Sequence, residues 1–409
     1  MTAETQNQPI ADASAECHAF LLRTAELLHQ YGTPSYRLEA VMQRISDDLN
    51  VPSVYLYTPT ALFISLGEHQ SEKMFLRRIE STDVDVGRIL AFDAVLEDLE
   101  ARKISVREAA AKMEEIANAP EAFPPAVSVF SAAVACAGVA ILFGGQLYDA
   151  CAAGFLGCLV TLAAMAASGG SAPRGWLEPL LGFGTAFAAV VLGLWLPISP
   201  RLITLAALIL PIPGLSLTVA LTELAAGHLA SGSARVAGAA VQLLTLVAGV
   251  AIAWQLTAPW FQEPPNVADI SQWWLWVAVA IAPIAFAVVF KVPVSQWPVI
   301  MTVVLSGFCV SQILQSSAGP EFAAFGGALA VGCGSNIYAR VKNRPAMVPS
   351  TPGLLILVPG SIGYNSLTAM VQSDTLKGVE LAFQMSMTAA ALAVGLLLAN
   401  VVISPRRNL

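Results

Sequence analysis

Leu210-Pro211-Ile212-Pro213-Gly214-Leu215-Ser216-Leu217-Thr218 lies within an apolar run from about Leu202 to Leu229. Proline lacks an amide donor and its ring clashes with the preceding turn, so two prolines and a glycine in mid-run interrupt a membrane helix. Hydrocarbon cannot satisfy the backbone groups this frees, and a break is tolerated only where protein buries it or it lines a water-filled cavity. The same device recurs at Pro359-Gly360, 146 positions after Pro213-Gly214 and inside Leu354 to Met370. Interrupted helices at corresponding places in two halves of a chain point to a transport site near the membrane midplane.

The rest of the chain fits that setting. Of its 409 residues 56% are hydrophobic and 12% charged, against roughly a quarter charged in a soluble domain. Residues 1–124 hold 11 of the 21 Lys+Arg and 20 of the 28 Asp+Glu, which predicts an acidic cytoplasmic domain followed by a membrane body. A net charge of -7 gives no support to nucleic-acid binding. The first 16 residues lack a basic stretch followed by an apolar one and do not read as a signal peptide. Cys17, Cys136, Cys151, Cys158, Cys309 and Cys333 show no CxxC spacing and read as small hydrophobes, so neither a metal nor a cofactor is expected.

Along the chain, 1–14 is expected to be flexible and 15–119 an α+β domain. Phe20, Leu21, Ala25, Leu28 and Tyr31 fall at helical spacing. Gly32 stops that helix, Thr33 offers an N-cap hydroxyl and Pro34 a first helical position for the next. Val54 to Tyr57, Leu62 to Leu66 and Lys73 to Ile79 read as strands, and Val84 to Arg102 and Ser105 to Ala117 as helices, the last opened by a Ser105/Glu108 capping box. A linker at 120–125 leads to ten apolar segments: 126–147, 149–168, 176–196, 202–226, 236–257, 272–290, 297–316, 322–340, 348–372 and 379–403. Each is near the roughly 20 residues that span hydrocarbon.

Moving the first five segments by 146 gives the last five within a few residues. Leu221/Leu367, Thr222/Thr368, Gly232/Gly378 and Gly249/Gly395 match at that offset. The expected fold is therefore an α-helical polytopic membrane protein: two five-helix repeats, 126–257 and 272–403, joined by an external loop at 258–271 and ending in a cytoplasmic tail at 404–409. Five spans per repeat is an odd number, so the repeats are inverted. With the N-terminus inside, inner loops and tail hold Arg174, Arg235, Lys291, Arg340, Lys342, Arg344, Arg406 and Arg407, and outer loops only Arg201 and Lys377.

Broken helices present free N–H groups at one half-helix end and free carbonyls at the other, which suits a zwitterion. Pro213, Gly214, Ser216, Thr218 and Thr222 at the first break, and Pro359, Gly360, Ser361, Tyr364, Asn365 and Thr368 at the second, are the candidate substrate residues; repair of the breaks is the plainer role for the same groups. Glu223 is a carboxylate inside an apolar run, and either carries protons, meets a substrate amine, or pairs with Arg235. His228 reads as an interfacial residue, and Gln312 and Asn336 as packing groups. In Gly32-Thr-Pro-Ser-Tyr-Arg-Leu-Glu39, a helix stop and start, Arg37 and Glu39 either pair across the domain or dock on and gate the membrane body.

That block, the later Thr58-Pro59-Thr60, the Pro-Gly helix with Thr222-Glu223-Leu224 and Gly232-Ser-Ala-Arg235, and Val358-Pro359-Gly360 together resemble the threonine/serine exporter family over about residues 15 to 403. The resemblance implies export of small hydroxylated amino acids driven by the proton-motive force across the inner (cell) membrane, the partners being substrate, protons and lipid; a homo-oligomer stays open. Relatives split into two chains are similar to dicarboxylate exporters, the competing substrate class. A membrane-embedded enzyme would need clustered His, Asp, Glu or Cys, and a sensor a nucleotide fingerprint; neither pattern is present.

Overall fold

The computed structural model describes residues 8–68, 72–79, 83–168, 175–261, 271–355, 357 and 360–405. Its N-terminal portion comprises α1 (Gln8–Gln30), α2 (Ser35–Asp48), β1 (Ser53–Thr58), β2 (Ala61–Leu66), β3 (Lys73–Arg78), α3 (Val86–Glu100) and α4 (Val106–Asn118). The strands form one antiparallel sheet in the order β1-β2-β3, with Tyr55 opposite Ile64 and Ile64 opposite Phe75. Tyr55, Tyr57, Leu62, Ile64 and Leu66 share one buried face, as the strand period of two requires. They pack with Leu21, Leu28, Leu38, Met42, Ile89 and Phe92 from the helices.

Two local expectations change. α1 begins at Gln8 and not at 15, so helix occupies much of the stretch expected to be flexible. Thr33 does not cap α2: Pro34 is the N-cap, and the Thr33 hydroxyl has no partner. The first amide of α2 is satisfied from elsewhere in the chain, as described below. The Ser105/Glu108 capping box of α4 forms as expected.

The membrane body follows. Its first half contains α5 (Pro125–Leu142), α6 (Leu147–Ser168), α7 (Leu177–Gly193), α8 (Pro200–Ala207), α9 (Gly214–Ala225) and α10 (Leu229–Leu256); its second, α11 (Gln272–Val289), α12 (Trp297–Ala318), α13 (Pro320–Lys342), α14 (Met347–Leu355), α15 (Gly360–Val371) and α16 (Thr375–Val402). Among the described residues seven segments are long and apolar enough to cross a membrane, and α7, α9 and most of α11 are shorter apolar helices. Phe155, Ile252, Phe383 and Val401 are exposed on them. This is a polytopic helical membrane protein. α10 and α16 start at Leu229 and Thr375, ahead of their apolar runs, and Ser231, Gly232 and Gly378 of these opening turns are buried.

Helix pairings in one half recur in the other. α7 packs on α10 as α13 packs on α16, α9 on α10 as α15 on α16, and α8 on α6 and α7 as α14 on α12 and α13. Close approaches recur too. A methyl group at Gly249 would come within 2.0 Å of Pro179 O, and at Gly395 within 2.6 Å of Phe325 O. Gly232 and Gly378 stand likewise against Ala220 O and Ser366 O, at 2.9 and 3.0 Å. Both members of each of these contacts shift by the same 146 positions that separate the two breaks.

Gly249→Leu is therefore expected to destabilise the protein by about 3 kcal/mol or more, since neither helix backbone can yield. Thermal unfolding of the purified protein in detergent checks this against Gly184→Leu, where the added side chain meets open space.

Candidate functional site

α8 ends at Ala207 and α9 begins at Gly214 behind Pro213, which is the N-cap with φ -79° and ψ 43°. α14 ends at Leu355 and α15 begins at Gly360; Pro359 lies outside the described residues. A side chain satisfies one carbonyl of the first break: Gln242 Nε2 donates to Pro211 O at 3.0 Å. Within α9, Thr218 Oγ1 donates to Gly214 O at 3.3 Å. The breaks touch: a methyl at Gly360 would lie 2.7 Å from Ile212 Cγ2 and 3.1 Å from Gly214 Cα.

From this contact α9 leads to the N-terminal portion and α15 to the opposite face. The polar residues expected around a single pocket consequently divide between two. Ser216 and Thr222 line a cavity of about 170 Å³ beneath the α1–α2 turn, together with Arg37, Arg235, Ser335, Asn336, Ser350, Thr351 and Asn400. Ser361, Tyr364, Asn365 and Thr368 line a larger one, about 630 Å³, with Arg201, Trp254, Gln372, Asp374 and Lys377. Thr218, fully buried, lines neither. The two walls correspond: Leu215/Ser361, Val219/Asn365, Thr222/Thr368, Arg201/Met347, Leu205/Thr351, Arg235/Leu381 and Trp254/Asn400 occupy positions related by the common offset. Each cavity thus takes the same helix faces from opposite halves, with different chemistry at matched positions.

Glu223 is completely buried. Its Oε1 accepts from Ser35 N at 2.9 Å and from the Arg235 guanidinium at 3.2 Å; Oε2 accepts from Ser231 Oγ at 2.8 Å and from Arg235 Nε at 3.2 Å. Four donors on one carboxylate compensate its loss of water. Nearby, Glu39 Oε2 lies 3.3 Å from His228 Nδ1, and the Tyr36 and His228 rings are 6.5 Å apart. Arg235→Ala is expected to cost about 3–5 kcal/mol by leaving that buried charge without its counter-ion. The midpoint of thermal unfolding should fall, and Arg235→Lys should restore part of the loss.

His29 and Asn400 are lining groups not singled out in the sequence, and Asn336, a packing group by sequence, lines the same cavity. His29 reaches the first cavity from α1; burial pushes its pKa down, Nε2 lies 3.3 Å from Pro59 O, and Nδ1 has no partner. Asn336 Nδ2 donates to Asn400 Oδ1 at 2.9 Å and Ile403 O at 2.8 Å. Buried Tyr364 has a hydroxyl without a partner at the second cavity. Polar residues in apolar runs were the available signal for Asn336 and Asn400. Hydroxyls near helix breaks, hydrogen-bond donors in both cavities and, in the first, a volume of about 170 Å³, below the roughly 300 Å³ of drug-sized pockets, suit a small polar solute.

No solved structure matches the chain. It is 26% identical over 371 residues to pheromone-regulated membrane protein 10 of Eremothecium gossypii, covering 87% of this chain and 50% of that protein. With the Saccharomyces cerevisiae protein of the same name it shares 24% over 372 residues, 87% and 48% of the two chains. An uncharacterized Schizosaccharomyces pombe protein is 26% identical over 385 residues, 89% and 49%. The chain spans about half the length of these curated relatives. A family described as putative threonine/serine exporter matches residues 19–257, and a second described as threonine/serine exporter, ThrE, matches 275–402. With matches that run from α1 through both breaks to the end of α16, the chain belongs to the threonine/serine exporter family.

Proposed function

We propose that this protein exports small hydroxylated amino acids, threonine and serine, by proton-coupled antiport across a cell's inner membrane. Ten spans form two inverted five-helix repeats; both termini and the N-terminal portion lie in the cytoplasm. The two cavities open alternately, and Gly214 against Gly360 is the septum between them. Ser216 and Thr222 meet the solute on the cytoplasmic side, and Ser361, Tyr364, Asn365 and Thr368 on the outer side. Glu223 is the proton carrier.

The observation that carries this is the pair of cavities lined by equivalent positions of the two halves and separated by touching breaks. An odd-numbered repeat places equivalent surfaces on opposite sides of the membrane, the arrangement alternating access requires. Membership in an exporter family supports a transporter reading over an enzyme.

Counterflow of labelled threonine in proteoliposomes, and net threonine efflux with and without an imposed pH gradient, test it. Accumulation of label against unlabelled threonine and efflux accelerated by the gradient are the expected results; no exchange of threonine or serine refutes it. One observation favours dicarboxylates: Arg201 and Lys377 both line the outer cavity. In that case labelled succinate exchanges and threonine does not.

A further inference from the structure

We infer that the α1–α2 turn is a gate over the cytoplasmic cavity, latched by Glu223 and released when that carboxylate takes up a proton. This rests on the transport proposed above and gives the N-terminal portion a part in it.

The turn is itself a wall of the cavity: Gly32, Thr33, Pro34 and Arg37 line it. Solute reaching the cavity from that side passes these residues. The latch is the first amide of α2. Ser35 N donates to Glu223 Oε1 at 2.9 Å, and Ser35 Oγ lies 2.5 Å from Ser231 Oγ, which donates to Glu223 Oε2. A helix N-terminus carries roughly half a positive charge, so a carboxylate holds it more strongly than a neutral acid does.

Further attachments lie at other loops, where Asn343 Nδ2 donates to Glu97 Oε1 at 2.7 Å. Val86 N donates to Phe290 O at 3.1 Å, and Lys291 Nζ reaches Glu121 Oε2 at 2.8 Å and Asp83 Oδ2 at 3.1 Å. Glu121 belongs to the linker entering α5, so this end of the N-terminal portion is tethered twice and serves as the hinge. The turn is the end held by the Glu223 latch and by the Glu39/His228 contact.

The charged and titratable groups around the latch are Arg235 of α10, His29 of α1, Arg37 of α2, and the His228/Glu39 pair at the turn between α9 and α10. Protonation of Glu223 removes the counter-charge of Arg235 and the anion facing Ser35 N, and the gate opens. Entry of solute, with loss of the proton to cytoplasmic water, restores the carboxylate and recloses it. Proton influx is thereby tied to solute loading, as antiport requires.

The test uses full-length protein in proteoliposomes, in a background whose native cysteines are replaced. Thr351→Cys places a thiol in the cavity, and its labelling by an impermeant maleimide from the cytoplasmic side reports opening. Ser35→Cys with Ser231→Cys, whose side chains are in contact, lies within reach of a disulfide. Oxidising that pair is expected to slow labelling about tenfold, reversed by reductant. At one fixed neutral pH, Glu223→Gln is expected to speed labelling in protein without the pair. Equal labelling of locked and reduced protein overturns the gate, and so, should the pair fail to fold, does an unchanged rate in Glu223→Gln. Labelling needs no transport: protection by the lock without threonine counterflow sustains the gate and defeats the substrate assignment.

Discussion

Gly360→Leu is expected to lower threonine counterflow by about 5- to 150-fold, the rate equivalent of the roughly 1–3 kcal/mol that forcing a side chain into a packed contact costs. The first added carbon already falls 2.7 Å from Ile212 Cγ2 and 3.1 Å from Gly214 Cα, before the rest of a leucine side chain is placed. Both neighbours belong to the opposing break, so the substitution wedges the septum at the point on which alternation turns. Global stability should suffer less, because the contact lies where two short half-helices meet and not along a packed pair such as α7 and α10. Counterflow per unit of reconstituted protein checks this beside Gly184→Leu, which faces open space. Equal loss in both would show that the septum has no special part.

Glu223→Gln should abolish the acceleration of threonine efflux by an imposed pH gradient and leave exchange between labelled and unlabelled threonine measurable. Exchange moves no net proton, whereas efflux driven by the gradient needs a group that gains and loses one. The amide keeps the volume of the side chain and one accepting oxygen, which serves either Ser35 N or Ser231 Oγ but not both, since they meet different oxygens of Glu223. What it loses is the charge facing Arg235. Efflux that still follows the gradient in the variant would assign the proton to another group.

Much of this was legible in the residues. Proline and glycine in apolar runs announce helix breaks by steric necessity, and their common offset recurs in the close contacts of Gly232, Gly249, Gly378 and Gly395. The strand and helix periods of the N-terminal portion sort Tyr55, Ile64, Leu38 and Phe92 to one core. The division of the polar residues between two cavities was hidden, because the direction in which α9 and α15 leave the breaks is a property of the packed halves. Ser35 N was hidden as well: every residue but proline has such an amide, so composition does not mark the one that meets a buried carboxylate. Thr33 looked like the cap for that reason, while Glu223, 188 positions from Ser35, takes the amide of α2.

The most direct measurement of alternation compares two single cysteines, Ser216→Cys in the cavity under the α1–α2 turn and Asn365→Cys in the opposite one, each probed with an impermeant thiol reagent from its own side. Adding saturating threonine or imposing a pH gradient is predicted to change the two labelling rates in opposite directions. Rates that rise or fall together, or do not respond, would contradict two cavities taking turns about one septum.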